Sequence, residues 1–410
     1  MSKVLKIAIL TTARSDFGPL KPAIRHAANR FEVDLLVAGS HFLRSRGQTI
    51  VEIESEFPQH DKVRIVAIDA MDDEGTPSAQ VRTIAETQLQ ASKWFEKNHY
   101  DLLLFLGDRW ELWGITLPAF LHGIPLAHIS GGEVTEGVID DCVRHSHTKL
   151  AALHFAAAEP YARNISSMGE EDWRISVVGE CGLDSIHNAE MASAEEVKTR
   201  FGVDLEKDTI LVTFHPSTLD FHTPVQTQID SLLHGLNSFS DHQIVLTAPG
   251  VEQGSETVLA AIRKFTSTHA NAILVDHFGS RNYLAVMSRA KVVVGNSSSG
   301  LVETSSFGVP AVNVGNRQMN RLAADSVQHV AYVARDIEMA ISKALGAAFQ
   351  EFARACPNPY DPYRDGKNSL RIVDAIERAL NDYSREKLSV KKFDVQLHSE
   401  EWNSLISERK

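Results

Sequence analysis

The segment Val292-Val293-Val294-Gly295-Asn296-Ser297-Ser298-Ser299-Gly300 runs from three valines through a Gly/Ser turn into helix-like Leu301-Val302-Glu303-Thr304. A strand, a tight turn and a helix make up the repeating unit of a layered α/β fold. The start of a helix presents free N–H groups and a partial positive charge, which suit a phosphate. Glycine lets the backbone come close, and the serine hydroxyls of Ser297 and Ser298 add donors. An ordinary serine cap would use the same residues, and no lysine follows as it would in a Walker loop. Glu303, just inside the helix, can accept two hydrogen bonds from a vicinal diol such as a ribose.

The same unit recurs on both sides of this segment. Runs rich in Val, Ile and Leu stand at Lys6–Thr12, Val33–Ala38, Val63–Ile68, Leu102–Leu106, Pro125–Ile129, Leu153–Ala157 and Ile175–Val178. A second set stands at Thr209–Phe214, Gln243–Thr247, Ala272–Val275, Lys291–Val294 and Pro310–Val314. Runs that are apolar on both faces fit buried parallel strands joined by right-handed helical crossovers. The pattern restarts after Gly179–Ser185, so the chain reads as two parallel α/β domains, residues 1–185 and 186–367. A helix over 368–383 follows the turn-rich Pro357–Pro362 stretch, and a charged tail with Trp402 fills 384–410, either docked or mobile. Two such domains facing each other bind ligands outside the carboxyl ends of their strands.

Among the 410 residues, 41 Lys and Arg face 53 Asp and Glu, a net charge of −12. That balance argues against general nucleic-acid binding, which rests on neutralising phosphates. An anionic ligand then needs locally gathered arginines. Cys142, Cys181 and Cys356 lie far apart with no metal-ligand spacing and read as reduced structural thiols of a cytoplasmic protein. The amino-terminal apolar run breaks at Thr11, too early for a signal sequence. No apolar stretch reaches the ~18 residues of a membrane span.

Charged residues interrupt the strand ends. Leu106-Gly107-Asp108-Arg109 closes a very apolar run, where a charged pair must sit at the rim. It is either a structural ion pair or a phosphate ligand, Arg109, beside an acid or base, Asp108. His128 to His145 passes through Ser130-Gly131-Gly132-Glu133 into Asp140-Asp141 and Arg144. The paired aspartates fit a helix cap, and equally a group of carboxylates that raise one another's pKa and supply a base and an acid. His215 leaves the first strand of the second domain as a ligand or acid–base candidate. Arg14 leaves the first strand of the chain, and Arg317, in Gly315-Asn316-Arg317-Gln318, leaves a late one.

These motifs together resemble the hydrolysing UDP-N-acetylglucosamine 2-epimerases, in the sialic-acid-pathway branch of the 2-epimerase family. The likeness runs in order over most of residues 5–380. It rests on Gly107-Asp108-Arg109, Gly131-Gly132-Glu133, Asp140-Asp141, Arg144-His145, Gly295-Asn296-Ser297-Ser298 and Gly315-Asn316-Arg317-Gln318. It implies a glycosyltransferase-B-like fold of two Rossmann-like domains facing a central cleft, with the first on the sugar side and the second on the nucleotide side. The last helix would cross back to the first domain. It also implies a homodimer or homotetramer and a nucleotide-sugar substrate, with chemistry that needs no metal or redox cofactor; charge and hydropathy leave no nucleic-acid or membrane partner expected. Arg14, Arg109, His215, Ser297, Ser298, Glu303 and Arg317 match nucleotide-diphosphate contacts. Phe278 falls near a backbone contact to uracil, and His41 falls in the family's Gly-Ser-His segment. Asp108 and Asp140 match acid–base residues, and Glu133 joins them as a candidate for proton transfer.

The chain also departs from the pattern. Ser130 stands where many relatives carry a catalytic glutamate, so Glu133 or Glu136 supplies that carboxylate or this branch does without it. Pro249-Gly250 replaces a Pro-Asn pair, and Pro19 replaces a lysine. The forms Arg14–Gly18, Glu133–Gly137 and Ser280–Leu284 resemble the subgroup acting on 2,4-diacetamido-trideoxy sugars for legionaminic-type acids. The implied reaction converts UDP-N-acetylglucosamine to N-acetylmannosamine and UDP, through elimination to a 2-acetamidoglucal and rehydration. The alternatives are the same reaction on a UDP- or GDP-2,4-diacetamido-trideoxyhexose, a non-hydrolysing epimerase, a glycosyltransferase, and a nucleotide-sugar sensor.

Overall fold

The computed structural model describes residues 4–43, 48–58, 62–72, 74, 76–135, 139–188, 191–217, 220, 222–250 and 254–393. Glu136 and Trp402 lie outside the described residues. The chain divides into two compact units, and the segment from Lys367 onward belongs with the first of them.

In the first unit the strands are β1 (Lys6–Thr11), β2 (Glu32–Val37), β3 (Val63–Ala67), β4 (Leu102–Leu106), β5 (Leu126–Ile129), β6 (Leu153–Ala156) and β7 (Ile175–Val177). They form a sheet in the order β3-β2-β1-β4-β5-β6-β7, with every pairing parallel. Period-2 alternation sends Ile7 and Ile9 of β1 to one face and Ala8 and Leu10 to the other. The first pair packs with Phe17, Leu20 and Ile24 of the helix Arg14–Ala28. The second packs with Phe95, Leu103 and Ile115. Both faces of β1 are therefore covered, which is why it reads as an unbroken apolar run; the outer strands β3 and β7 are partly exposed.

The second unit repeats the design. Strands β8 (Thr209–Thr213), β9 (Gln243–Thr247), β10 (Ala272–Val275), β11 (Val292–Gly295), β12 (Ala311–Val314) and β13 (Val327–Val330) pair in parallel in the order β10-β9-β8-β11-β12-β13. Ile210 and Val212 face Ile229, Leu232 and Ile341, while Leu211 faces Val286, Met287 and Leu301. Each sheet thus reverses its strand order once, between β1 and β4 and between β8 and β11. Open parallel sheets bind ligands outside the carboxyl ends at such a reversal.

The structure corrects the reading at four places. β13 is an additional strand. The helix expected to run on through Thr304 is a single turn, Ser299–Val302, followed by a 3-10 turn, Thr304–Phe307. The Thr304 hydroxyl bonds back to the Gly300 carbonyl at 2.8 Å, the local competition by which serine and threonine weaken helices. Cys142 is exposed, whereas Cys181 and Cys356 are buried. The paired aspartates lie inside the first turn of the helix Ile139–Leu150, not in front of it.

The carboxy-terminal segment closes the first unit. In the helix Asn368–Asp382, Ile372, Val373 and Ile376 join the core around Phe17. Its first N–H groups, on Asn368 and Ser369, donate to the Asp184 carboxylate at 2.8 and 2.7 Å, a cap supplied from elsewhere in the chain. Beyond it the buried Arg174 donates to the carbonyls of Lys387, Leu388 and Val390, and Lys391 donates to those of Lys149 and Ala151. The tail is docked as far as residue 393.

Candidate functional site

At the end of β1 a buried carboxylate organises the turn. Asp16 accepts from the hydroxyls of Thr11 (2.5 Å) and Thr12 (2.9 Å) and from the N–H groups of Thr12 and Ala13. This fixes the start of the helix whose first residue is Arg14, an exposed side chain 3.4 Å from Glu52. His41 lies behind the turn. It is fully buried, with Nε2 2.9 Å from the Thr11 hydroxyl and Nδ1 2.7 Å from that of Thr49. Burial lowers its pKa, against the nearby Asp16 carboxylate, so the ring is neutral. Both ring nitrogens face hydroxyls, and His41 is linked to the turn through Thr11 and Asp16.

Across the strand reversal, β4 ends in Gly107, Asp108 and Arg109. Arg109 pairs with the buried Glu111. Burial opposes its charge, but Glu111, Asp16 and Asp140 hold its pKa above the ordinary value. Its Nε–H is buried with no acceptor among the described residues. Asp108, with 29% of its side chain exposed, pairs with Arg144. The buried Arg144 also donates to Asp141 at 3.1 Å and to the Glu133 carbonyl at 2.9 Å. One guanidinium thereby ties the β4 end, the loop after β5 and the helix Ile139–Leu150 together. Asp140 belongs to this group. Burial, and then the Asp108 charge, raise its pKa to about 6 despite Arg109 and Arg144. Glu133 is buried.

The loop before Glu133 begins with Ser130, a non-glycine residue at φ +62°. Its hydroxyl donates to the Glu180 carboxylate at 3.1 Å. Glu180 follows β7, two strands away from β5 in the sheet. The sequence reading missed Asp16, Glu111 and Glu180. Asp16 had a signal, since it stands three residues after a strand-to-helix turn, where a carboxylate caps free N–H groups.

In the second unit the residues flank the β8/β11 reversal. The Asn296 side chain bridges the two strand ends, accepting from the His215 N–H at 2.8 Å and donating to the His215 carbonyl at 2.7 Å. Arg317 and Gln318 donate to the Asn296 carbonyl at 3.3 and 3.1 Å. Burial, and then the charge of Arg317, lower the His215 pKa to about 4. The imidazole is neutral, and Nδ1 accepts the Gly250 N–H at 3.3 Å. The proton is then on Nε2. Ser297 and Ser298 form the turn after β11, where the Ser297 hydroxyl accepts from that of Ser299 at 3.0 Å. Tyr283, which the sequence reading also passed over, joins the hydroxyls of Thr213 (3.1 Å) and Ser299 (3.0 Å). Glu303 closes the short helix. The Phe278 ring is buried against Phe201, so what it can offer a ligand is backbone, and its carbonyl already accepts from Asn282 at 2.8 Å.

Among the described residues no group of three or more His, Cys, Asp or Glu is placed to hold a metal ion. No helix among them is long and apolar enough to cross a membrane.

The chain is 29% identical over 349 residues to a GDP/UDP-N,N'-diacetylbacillosamine 2-epimerase (hydrolyzing) of Campylobacter jejuni, covering 84% of this chain and 89% of that one. It is 31% identical over 341 residues to a UDP-N-acetylglucosamine 2-epimerase of Neisseria meningitidis, covering 83% and 87%. The crystal structure of UDP-GlcNAc 2-epimerase from Neisseria meningitidis bound to UDP-GlcNAc superposes with a TM-score of 0.70 at 17% identity, over 91% of this chain and 100% of that one. It has the same two-sheet, glycosyltransferase-B-like fold. Residues 23–377 match the UDP-N-acetylglucosamine 2-epimerase family, and the chain belongs to that family.

Proposed function

We propose that this chain is a hydrolysing 2-epimerase that converts UDP-N-acetylglucosamine to N-acetylmannosamine and UDP, in the biosynthesis of a sialic-type acid. The observation that carries the reading is the group at the ends of β4 and β5, in which Asp108 and Asp140 stand with Arg109 and Arg144 and the Asp140 pKa is held at about 6. A carboxyl group that titrates near neutrality suits proton transfer at an unactivated C–H. A carboxylate takes the proton from C2 while the C1–O bond breaks and its electron pair leaves with the diphosphate, forming the C1=C2 bond of a 2-acetamidoglucal. Water then adds its hydroxyl to C1, and C2 regains a proton on the opposite face. Within the second unit Arg317, Ser297, Ser298 and His215 are the candidate ligands for the nucleotide diphosphate and Glu303 for the ribose diol; within the first unit Arg14 and Arg109 are candidate phosphate ligands. A phosphate oxygen would satisfy the buried Nε–H of Arg109.

A second reading keeps the chemistry and changes the sugar to a UDP- or GDP-2,4-diacetamido-trideoxyhexose. The Arg14–Gly18 and Ser280–Leu284 forms favour it, as does the similarity to the Campylobacter jejuni enzyme. The test is a panel of UDP-N-acetylglucosamine and the UDP- and GDP-linked diacetamido sugars in deuterated water. Nucleotide release with deuterium at C2 of the free sugar is expected from one of them. Deuterium at C2 with the sugar still on the nucleotide would make it a non-hydrolysing epimerase. Asp108→Asn should lower turnover by about 10²–10⁴-fold and leave UDP binding intact. Full activity in that variant removes Asp108 from the chemistry.

A further inference from the structure

Ser130 occupies a backbone conformation that does not suit it. A residue other than glycine is strained in the left-handed region, and glycine would take the same φ of +62° without strain. What the strained residue provides is a hydroxyl, and that hydroxyl donates to Oε2 of Glu180 at 3.1 Å. The other carboxylate oxygen, Oε1, faces the Gly182 N–H at 3.4 Å, at the head of the 3-10 turn Cys181–Leu183. Gly179, at φ +88°, turns the chain between β7 and Glu180. The Glu180 carbonyl accepts from the Asn368 amide at 3.1 Å, tying its backbone to the carboxy-terminal helix. Carboxylate and backbone thus have separate partners, at the carboxyl end of the sheet that also presents Asp108 and Asp140.

We propose that Glu180 is a catalytic carboxylate of the epimerase reaction, held by Ser130 and serving one of the two proton transfers at C2 of the sugar. The inference rests on the function proposed above. It gives the carboxylate that Ser130 does not itself supply an origin other than Glu133 or Glu136: a side chain fifty residues further along the chain, brought beside β5 by strand order. In this arrangement the serine hydroxyl fixes one carboxylate oxygen by donation. It can follow the carboxyl group through both protonation states, because a hydroxyl also accepts.

A purely structural Glu180 would cap the turn at Gly182 and do nothing else. Glu180→Gln separates the two roles, since the amide oxygen still accepts from Gly182 and the side chain keeps its length, but it can neither take nor give the proton. The full-length chain is assayed with the nucleotide sugar that the wild type hydrolyses, following nucleotide release and deuterium at C2, alongside UDP binding by calorimetry and thermal melting. The expected result is a kcat lower by about 10²–10⁴-fold with UDP affinity and melting temperature unchanged. Glu180→Asp, which keeps the carboxylate one methylene back, should retain at least about tenfold more turnover than Glu180→Gln, a difference of about 1.4 kcal/mol in barrier. Equal activity of wild type and Glu180→Gln overturns the inference. So does a loss of activity matched by losses of UDP affinity and melting temperature, or a Glu180→Asp no better than Glu180→Gln. If the wild type releases no nucleotide from any sugar of the panel, the functional reading falls and takes this inference with it, whereas an active wild type with a fully active Glu180→Gln removes only the inference.

Discussion

Asp140 carries opposing demands in one side chain. It lies in the first turn of its helix, where free N–H groups favour an anion, yet burial and the neighbouring Asp108 carboxylate push its pKa up to about 6. If Asp140 is the base, kcat/KM rises with pH through about 6; if it is the acid, the same ionisation gives a falling limb. In both cases Asp140→Asn should remove the limb from the profile, and a limb near pH 6 that persists in that variant would exclude Asp140. The stability consequence has a definite sign. A group whose folded pKa lies above its unfolded value binds more protons when folded, so its contribution is fully present below about pH 4 and is lost as pH rises through about 6. At pH 7 the charge therefore costs stability. Asp140→Asn should raise the unfolding free energy by about 1 kcal/mol, after discounting the shift for the group's partial exposure. Denaturant melts at pH 4 and pH 7 check this, and the gain should vanish at pH 4.

Gly295 shows what an element demands of one position. It ends β11 at φ +136°, and a Cβ there would lie 1.9 Å from the Thr213 carbonyl oxygen of β8. The two strands flank the reversal of the second sheet, so the close approach sets the spacing of the turn that carries Ser297 and Ser298. Gly295→Ala adds a steric overlap to an unfavourable φ and should cost at least about 3 kcal/mol. The melting transition of the second unit should fall while that of the first stays in place; an unshifted second transition would refute the account. At this scale most of the structure was legible. Each of the twelve apolar runs forms a strand, and the central ones are apolar at nearly every position because they are covered on both faces. β13 was not legible. It is a four-residue edge strand in which Gln328 and His329 interrupt the run, and its pairing with β12 decides its state more than its own composition does.

For the molecule as a whole, legibility falls with sequence separation. Asp108, Arg109 and Asp140 announce themselves as charges breaking an apolar strand or opening a helix. The Ser130–Glu180 pair does not, because only the β5-β6-β7 order brings the two together. The docking of the tail is of the same kind, with the sequence leaving it open between docked and mobile. Arg174 decides it. All its guanidinium nitrogens are engaged: Nε donates to Glu171 at 2.9 Å, and Nη1 and Nη2 donate to the carbonyls of Ala152, Leu388, Lys387 and Val390 at 2.9–3.1 Å. A buried guanidinium is tolerated only when its donors are met in this way. Arg174→Met removes the hub and leaves those carbonyls to water or to no partner. The 384–393 segment should then become a substrate for limited proteolysis, and the first unit should lose about 3 kcal/mol. Because the chain has two units, calorimetry should resolve the effect as a shift of one transition and not of both. The six-stranded unit contains no residue of this hub, so its transition and the UDP affinity of the Ser297–Arg317 group should hold. A parallel fall of both transitions would mean that the tail's docking is coupled to the second unit as well.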